Sequence, residues 1–339
     1  MATPTEVAAM RRALELAQSP DAPTGPNPRV GCVLLRPDGS TLAEGYHRGA
    51  GAPHAEVDAL NSAGQHARGA TAVVTLEPCN HTGRTGPCVA ALREAGVARV
   101  VFGQPDTSPV ARGGAEVLRT AGVDVEGGVL ADAARAVNPI WTFAVENGRP
   151  YVTWKYAATL DGRSAAADGT SQWITSPEAR ADVHRLRAEC DAILVGTGTV
   201  LSDNPWLTAR EVSGRPLDRD RQPLRAVMGL REIPADAAVR DDAAGTLHLE
   251  TRDPDEALKR LLDHDRQHVL LEGGPTLAGA FWRADLVERV IAYVAPMLLG
   301  AGTSALGDAG IGTIGDAARL VVTDVTRVGP DVRLIAKKG

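Results

Sequence analysis

The chain has 339 residues, and its length and composition exclude several classes of protein before any motif is considered. At roughly 150 residues per domain, this length indicates about two domains. Hydrophobic residues make up 44% of the chain and charged residues 23%, a globular composition that excludes wholesale disorder. The net charge of −6 and the pI near 5.8 argue against a protein that coats nucleic acid or an anionic membrane. Any anionic ligand must therefore be held by local groups.

The first 20 residues mix acidic and basic side chains with apolar ones, which predicts an amphipathic helix and not a signal peptide. The most apolar stretch, residues 290–299, is far shorter than the roughly 18 residues of a membrane span. We therefore expect a cytoplasmic protein. In such a reducing compartment, its four cysteines are expected to be core residues, nucleophiles or metal ligands, and not disulfides.

Helical and strand patterns alternate through the first half of the chain. In chain order they predict a helix at 7–17, strands at 31–35 and 41–47, a helix at 54–64, a strand at 70–78, a helix at 88–96, a strand at 98–103, and a last helix and strand at 117–122 and 123–128. This alternation favours a three-layer α/β domain, which we assign to residues 1–146.

The pattern pauses at ENGRP and then restarts, which predicts a second α/β domain over residues 147–339. Residues 151–162 and 191–200 read as strands, and the second of these enters a Gly-rich turn. Residues 267–286 repeat that order as strand, Gly-Gly turn and helix. The charged, Pro-containing stretch at 211–225 is expected to be a surface loop. We find no internal repeat.

One histidine, one glutamate and two cysteines in the first half have the pattern of a catalytic metal site. His54 and Glu56 lie in HAE, Cys79 follows a proline, and Cys88 comes nine positions later. One imidazole and two thiolates are zinc-preferring ligands, and three protein ligands leave a fourth position for water. Zinc lowers the pKa of that water, and Glu56 is close enough to transfer protons without binding the metal. The pattern therefore predicts a hydrolytic zinc site.

Two other interpretations remain open at this point. The histidine and the cysteines taken singly are compatible with ordinary buried residues, since each short motif also occurs by chance. Alternatively, the zinc is purely structural, with His81 as its fourth ligand.

The order HAE, PC and a second cysteine resembles the cytidine/deoxycytidylate deaminase superfamily, most of whose members space the cysteines as PC-x-x-C. Eight residues separate them here, and TLEPCNHTGRTGPC, with PNPRVG and GYHRGAGAPHAE upstream, is similar to the deaminase domain of the RibD family of riboflavin biosynthesis proteins. The resemblance implies deamination at C2 of 2,5-diamino-6-ribosylamino-4(3H)-pyrimidinone 5′-phosphate. It also implies that Asn27 and His47 hold the pyrimidine or ribose, and that His81 and Arg84 reach the phosphate.

The second half has no GxGxxG after a strand, so the Rossmann fingerprint is missing from the sequence. Two strand-to-turn elements, at 191–205 and 270–281, nevertheless suit phosphate, because the helix expected from Pro275 would present free amides. The segments YVTWKYAATLDGRSA, SQWITSPEAR, SDNPWLTAR and LEGGPTLAGAF resemble the reductase domain of the same family, which has a dihydrofolate-reductase-like fold and uses NADPH.

That resemblance implies two sets of contacts. The nucleotide contacts are Ala157, Trp173, Thr199, Asp203, Gly274, Pro275, Thr276, Leu277, Ala278, Gly279 and Ala280. The substrate contacts are Ser171, Arg187, Leu207, Arg210 and Glu272. Both arginines suit phosphate because a guanidinium binds its oxygens in a fork. Taken alone, Trp173 would be a core residue. Lys155 or Asp203 is a candidate for proton transfer, and no side chain is identified that would bind the NADPH 2′-phosphate.

The sequence thus predicts a bifunctional enzyme, a zinc deaminase followed by an NADPH-dependent reductase that gives 5-amino-6-(5-phosphoribitylamino)uracil. We expect a homodimer or higher homo-oligomer, with neither nucleic acid nor membrane as a partner. Three alternative functions compete with this prediction. One is a chain with a single active domain, and another is a nucleic-acid deaminase, which the pI and the 4% aromatic content disfavour. The third is a noncatalytic module stabilised by zinc, which chelation would unfold.

Overall fold

The computed structural model describes residues 1–20, 22, 25–82, 86–211 and 213–339. The chain divides into two compact units, Met1–Gly148 and Arg149–Gly339. The boundary expected from the sequence, after residue 146, lies two residues before this division.

The first unit is built on a five-stranded sheet with the order β2-β1-β3-β4-β5. The strands are β1 (Gly31–Leu35), β2 (Thr41–Tyr46), β3 (Thr71–Leu76), β4 (Arg99–Gln104) and β5 (Asp124–Gly127). β1 pairs antiparallel with β2 and β3, whereas β3, β4 and β5 are parallel. Parallel neighbours need a crossover connection, which explains why helical patterns alternate with strands in this part of the sequence.

Helices cover both faces of this sheet and confirm the three-layer prediction. They are α1 (Pro4–Ala17), α2 (Ala55–Ala63), α3 (Cys88–Glu94), α4 (Gly114–Thr120), α5 (Ala131–Val137) and α6 (Pro139–Asn147). α2, α3 and α4 bury apolar side chains against one face, and α1 and α5 against the other. α1 begins earlier than expected because Thr3 and Glu6 form a capping box. α5 and α6 were not predicted.

Two glycines allow helices to approach the sheet closely. A Cβ at Gly31 would lie 2.0 Å from the Ala13 carbonyl oxygen of α1, and one at Gly45 would lie 2.4 Å from the Ala59 nitrogen of α2. No side chain fits at such distances, so glycine is required in both strands. The second contact fixes α2, whose N-terminus carries His54 and Glu56, against β2.

The second unit contains an eight-stranded mixed sheet with the order β12-β13-β11-β6-β10-β7-β8-β9. The strands are β6 (Tyr151–Thr159), β7 (Ala192–Gly196), β8 (Leu224–Met228), β9 (Thr246–Leu249), β10 (His268–Leu271), β11 (Arg289–Ala295), β12 (Leu320–Val328) and β13 (Asp331–Lys338). The strands from β11 to β9 in this order are parallel, and β13 pairs antiparallel with both β11 and β12. The carboxyl ends of the six parallel strands therefore lie along one edge.

Four α-helices accompany this sheet. They are α7 (Pro177–Ala188), α8 (Thr197–Asp203), α9 (Pro254–Leu262) and α10 (Pro275–Arg283). α8 and α10 follow β7 and β10 directly, as the two strand-to-turn patterns predicted. Among the helices of the described ranges, none is both long enough and apolar enough to cross a membrane.

The expectation that residues 211–225 form a surface loop is wrong at their C-terminal end, where β8 begins at Leu224. Arg225 is fully buried. Its guanidinium donates to the Asp241 carboxylate at 2.7 Å and to the carbonyl oxygens of Asp241 and Ala244. These acceptors offset the cost of burying the charge. They could not be predicted from the residues around Arg225, because they belong to a later segment of the chain.

We expect Arg225→Ala to lower the free energy of unfolding of the second unit by about 3 kcal/mol, because it removes charge-assisted bonds and leaves buried carbonyls without a donor. Urea unfolding measures the change. Arg221→Ala is the matched control, since Arg221 is exposed in a neighbouring turn, and it should have little effect. Equal losses in the two variants would contradict the assignment.

Candidate active sites

Three side chains of the first unit converge as the sequence predicted. The ligand atoms of His54, Cys79 and Cys88 all lie within 4.8 Å of one another. His54 Nδ1 is 3.2 Å from Cys88 Sγ and 3.5 Å from Cys79 Sγ. Two ligands of a tetrahedral zinc, with bonds of about 2.0 Å to nitrogen and 2.3 Å to sulfur, would be separated by roughly 3.6 Å. The donor set and its spacing therefore fit zinc.

Local structure explains why these side chains meet. His54 has extended backbone angles and precedes the first turn of α2, while Cys88 is the first residue of α3. Cys79 follows β3, and its sulfur accepts a hydrogen bond from the Cys88 backbone N–H at 3.4 Å. Hydrogen bonds from the Cys88 side chain and from His54 lower the pKa of Cys79 to about 4, whereas the interaction with Cys79 and burial raise the pKa of Cys88. A divalent cation between the two sulfurs would stabilise the second thiolate.

Glu56 is buried beside the metal ligands and is not one of them. It lies in the first turn of α2 and is 3% exposed. Burial raises its pKa to about 7, with a further contribution from the negative charge of Cys79. A carboxyl group that titrates near neutral pH both accepts and donates protons at working pH, which suits general acid–base catalysis.

Asn27 and His47 lie next to the metal cluster. The Pro53 carbonyl accepts a hydrogen bond from His47 Nδ1 at 3.0 Å, so that Nε2 is left to accept one from Asn27 Nδ2 at 2.9 Å. Burial lowers the pKa of His47, and its ring packs edge-on against His54 with centroids 5.4 Å apart. The pair thus supports the chain just before His54, and its contact with substrate stays a prediction.

His81 and Arg84, the two residues predicted to reach the substrate phosphate, come from the loop between the cysteines. His81 is not part of the metal-ligand cluster found in the described residues, and within them its buried Nδ1 has no hydrogen-bond partner. Arg84 lies outside the described residues.

Glu77, two residues before Cys79, was not predicted to take part in the site. Its buried carboxylate accepts hydrogen bonds from the backbone N–H groups of Asp106 at 3.1 Å and Ala115 at 2.9 Å. These bonds tie the end of β3 to the segment after β4, and so fix the backbone that carries Cys79. A glutamate at the carboxyl end of an otherwise apolar strand was the available signal.

The second unit has two overlapping cavities at the carboxyl edge of its parallel strands. The first cavity, about 600 Å³, is lined among others by Ser171, Trp173, Arg180, His184, Arg187, Leu207 and Arg210. The second cavity, about 860 Å³, is lined among others by Thr197, Gly198, Arg231, Arg252, Gly274, Pro275 and Thr276. Both are lined by Lys155, Ala157, Ser164, Ser171, Thr199, Asp203 and Glu272. Ligands typically bind at this edge of α/β sheets.

A buried group of charges forms part of the wall that the two cavities share. Arg187 binds Glu272 in a fork, with Nε to Oε1 at 2.7 Å and Nη2 to Oε2 at 2.9 Å, and Lys155 Nζ is 3.8 Å from Oε2. Burial alone would raise the pKa of Glu272, but the positive charges of Arg187 and Lys155 outweigh it and lower this pKa to about 2. Two cations against one anion leave a net positive charge that favours an anionic ligand.

Because Arg187 pairs with Glu272, Arg187 and Arg210 differ in the number of N–H groups that they can offer to a phosphate. Besides its bonds to Glu272, Arg187 donates to the Thr208 carbonyl at 3.1 Å, so much of its guanidinium is already engaged. Arg210 lies 5.7 Å from the centre of the Trp206 ring and remains half-buried on the wall of the first cavity. His184 accompanies them, and burial together with the charge of Arg187 lowers its pKa to about 4. A phosphate would therefore meet more free donors on Arg210 than on Arg187.

Trp173, taken alone, was predicted to be a core residue, and this prediction is wrong. Its side chain is 65% exposed, with the Arg180 guanidinium 4.5 Å above the ring. It lines the first cavity beside Ser171, whereas the resemblance groups it with the nucleotide contacts. Leu207, the other apolar residue of the predicted set, is buried against the same cavity.

The Gly-Gly turn after β10 opens α10 towards the second cavity. This cavity is lined by Gly274, Pro275, Thr276, Leu277 and Ala280, and their contact with a nucleotide stays a prediction. Ala278 and Gly279 are buried on the opposite face of the helix, and a Cβ at Gly279 would lie 2.3 Å from the Asp308 carbonyl oxygen. The free amides of the first turn fit a pyrophosphate, and the cavity lined by them fits a dinucleotide.

Five basic side chains of these cavities were not predicted from the sequence. Arg180 and His184 lie on α7, Arg231 and Arg252 follow β8 and β9, and Arg283 ends α10. Basic residues just after consecutive parallel strands were a usable signal, because such residues meet at one edge of the sheet.

We expect Glu272→Gln to lower the free energy of unfolding of the second unit by about 3–5 kcal/mol at pH 7, because Arg187 and Lys155 would remain buried without an anion. Denaturant unfolding followed by tryptophan fluorescence measures the loss. Glu211→Gln is the control, since its pair with Arg215 is solvent-exposed and should contribute nothing measurable.

The pH dependence of the difference in unfolding free energy between the wild type and Glu272→Gln provides a second test. The pKa of Glu272 is about 2 in the fold, against an ordinary value of 4.5, so its contribution to stability is complete above about pH 4.5 and is lost as pH falls towards 2. The gap between wild type and Glu272→Gln should therefore shrink over that range. A gap that persists unchanged in acid would contradict the proposed charge state.

Comparisons with known proteins agree in both units. Residues 4–104 match the model of the cytidine and deoxycytidylate deaminase zinc-binding region, and residues 150–334 match that of the RibD C-terminal domain. The chain is 51% identical to the riboflavin biosynthesis protein RibD of Mycobacterium tuberculosis, covering 96% of this chain and 95% of the relative. It is 42% identical to that of Escherichia coli, covering 96% and 97%.

Solved structures are similar over the whole chain. Acinetobacter baumannii RibD superposes with a TM-score of 0.88 at 37% identity, with 99% of each chain covered. A diaminohydroxyphosphoribosylaminopyrimidine deaminase/5-amino-6-(5-phosphoribosylamino)uracil reductase from Thermotoga maritima gives 0.79 at 32% identity, again with 99% of each chain covered.

Proposed function

Because the chain belongs to the RibD family of riboflavin biosynthesis deaminase/reductases, we propose that it performs two successive steps on one phosphorylated pyrimidine. The first unit replaces the amino group at C2 of 2,5-diamino-6-ribosylamino-4(3H)-pyrimidinone 5′-phosphate by an oxo group, with water consumed and ammonia released. The second unit reduces the ribosyl group of that product to a ribityl chain, giving 5-amino-6-(5-phosphoribitylamino)uracil.

The observation that carries the proposal is the metal-ligand cluster with a buried, protonatable carboxylate beside it. His54, Cys79 and Cys88 would hold the zinc, which when bound supplies a water of lowered pKa next to the pyrimidine. Glu56, with a pKa of about 7, takes a proton from water and passes it to a ring nitrogen. It then takes the proton of the hydroxyl added at C2 and delivers it to the departing amino group, which leaves as ammonia. We assign contacts with the ring or ribose to Asn27 and His47, which are hydrogen-bonded to each other beside His54.

The two overlapping cavities support the reductase half. The reductase domain implies NADPH, whose pyrophosphate we assign to the first turn of α10 in the second cavity. The substrate occupies the first cavity, so the shared wall around Lys155 and Ala157 is where the nicotinamide meets C1′. Orienting these two groups and excluding water from the junction is the main task of the protein.

Charged groups of the first cavity supply the remaining roles. Burial lowers the pKa of Lys155, which favours proton release. Lys155 and Asp203 both line the junction, but Asp203 is exposed there, so we favour Lys155 as the proton source that accompanies hydride transfer. The substrate phosphate binds Arg210 and the remaining N–H groups of Arg187.

A homodimer through the second unit is also part of the proposal. On the edge strand β12, Val321, Val322 and Val325 are 55%, 55% and 63% exposed. Exposed apolar side chains on an edge strand favour pairing with another chain. Cytoplasmic location stays a prediction from the sequence.

Mass spectrometry of the diaminopyrimidine phosphate, incubated with purified protein with and without NADPH, tests the function. We expect replacement of one NH by one oxygen without NADPH, and a gain of two further hydrogens with it. No conversion by protein that contains zinc would overturn the deaminase assignment and return the metal to a structural role. Deamination without reduction would leave a chain active in the first unit alone.

We expect Glu56→Gln to retain zinc and to lower the deamination rate by about 10²–10⁴-fold, because the glutamine cannot transfer protons. Metal analysis and the rate of ammonia release measure the two effects. Reduction of pre-deaminated substrate by the same variant is the internal control and should be unchanged. Retained deamination would exclude Glu56 as the proton carrier and would favour a noncatalytic zinc module.

A further inference from the structure

Two arginines on the wall of the second cavity have guanidinium groups that no group among the described residues engages. Arg231 follows β8 and Arg252 follows β9, and both are exposed. Across the portion of the chain that the structure describes, neither makes a side-chain hydrogen bond or an ion pair. By contrast, Arg283 on the same cavity binds the carbonyl oxygen of Asp308 and lies 3.5 Å from its carboxylate.

The two arginines extend the cavity in a definite direction. In the sheet order β10-β7-β8-β9, the turn after β10 carries Gly274, and each following strand lies about 4.8 Å further along the edge. Arg231 therefore follows a strand that lies about 10 Å from β10 across the sheet, and Arg252 follows the next strand beyond it. This side is opposite to β6, which carries Lys155 and Ala157 of the nicotinamide junction.

Neighbouring groups show where both arginines lie at the cavity. A Cβ at Gly198, in the first turn of α8, would lie 3.1 Å from the Arg231 Nη2 atom, so this guanidinium lies over the start of α8. Arg252 follows Thr251, which is buried and whose hydroxyl donates to Glu256 and accepts from the Asp253 backbone N–H. The Asp253 carboxylate accepts from the Asp255 backbone N–H at 3.0 Å and caps α9, so it is already engaged by the helix.

We propose that Arg231 and Arg252 bind the 2′-phosphate of NADPH and make the reductase selective for NADPH over NADH. This inference rests on the proposed function of the second unit. A doubly charged phosphate at the adenosine end of the dinucleotide would face two unpaired guanidinium groups, which bind phosphate oxygens in a fork. NADH carries a hydroxyl at that position and would leave both cations unpaired, whereas NADH-specific sites place a carboxylate there.

The adenosine fragments of the cofactors isolate this contact. Isothermal titration calorimetry would compare adenosine 2′,5′-bisphosphate with adenosine 5′-monophosphate on the full chain and on Arg231→Ala, Arg252→Ala and the double variant. We expect the wild type to prefer the bisphosphate, each single substitution to weaken bisphosphate binding about 10- to 100-fold, and the double variant to lose the preference. Affinity for the monophosphate should stay within a fewfold of wild type.

Arg283→Ala is the matched control, because it removes the same charge from the same cavity where the arginine is already held by Asp308. It should leave the ratio of the two affinities unchanged. A double variant that still prefers the bisphosphate, or a wild type without preference, would overturn the assignment. A wild type that binds NADP⁺ and NAD⁺ equally would also overturn it, while one that binds neither would instead refute the proposed cofactor use of the second unit.

Discussion

The Glu272 carboxylate, held between Arg187 and Lys155, connects the elements that form both cavities of the second unit. Glu272 follows β10, Arg187 lies on α7 and Lys155 on β6, so one set of charge interactions joins three segments distant in sequence. The Gly-Gly turn that opens α10 begins at the next residue. Loss of this anion would leave two cations in a poorly solvated site, and the cavities depend on it for that reason.

Two buried glutamates in this chain have opposite protonation behaviour, and the difference lies in their neighbours. Glu56 faces thiol groups, so burial and negative charge raise its pKa to about 7. Glu272 faces two cations, which lower its pKa to about 2 in spite of comparable burial. The first suits proton transfer and the second a fixed charge that orients other groups. The type of residue therefore does not determine its role.

Most of the fold and the whole metal cluster were predictable from the sequence, whereas the pairing of charges was not. His54, Cys79 and Cys88 could be identified because metal ligands follow narrow rules of residue type and spacing. The strand and helix patterns came from local periodicity, which is weak in α5, a short helix whose apolar residues are only alanine and valine. Arg225, Trp173 and the engagement of Arg187 depend on contacts between distant segments, and no local pattern reports such contacts.

The close approach of helices to the sheet at Gly31 and Gly45 restricts the substitutions that could raise the thermal stability of this protein. Replacing glycine by alanine is a common way to reduce the entropy of the unfolded chain. Here it would push a helix off the sheet at either position, whereas Gly312 has open space around it and no positive φ. The same open space at Gly274 is deceptive, because a methyl group there would project into the second cavity. Open space around a glycine is therefore a poor guide to whether a side chain there would preserve function.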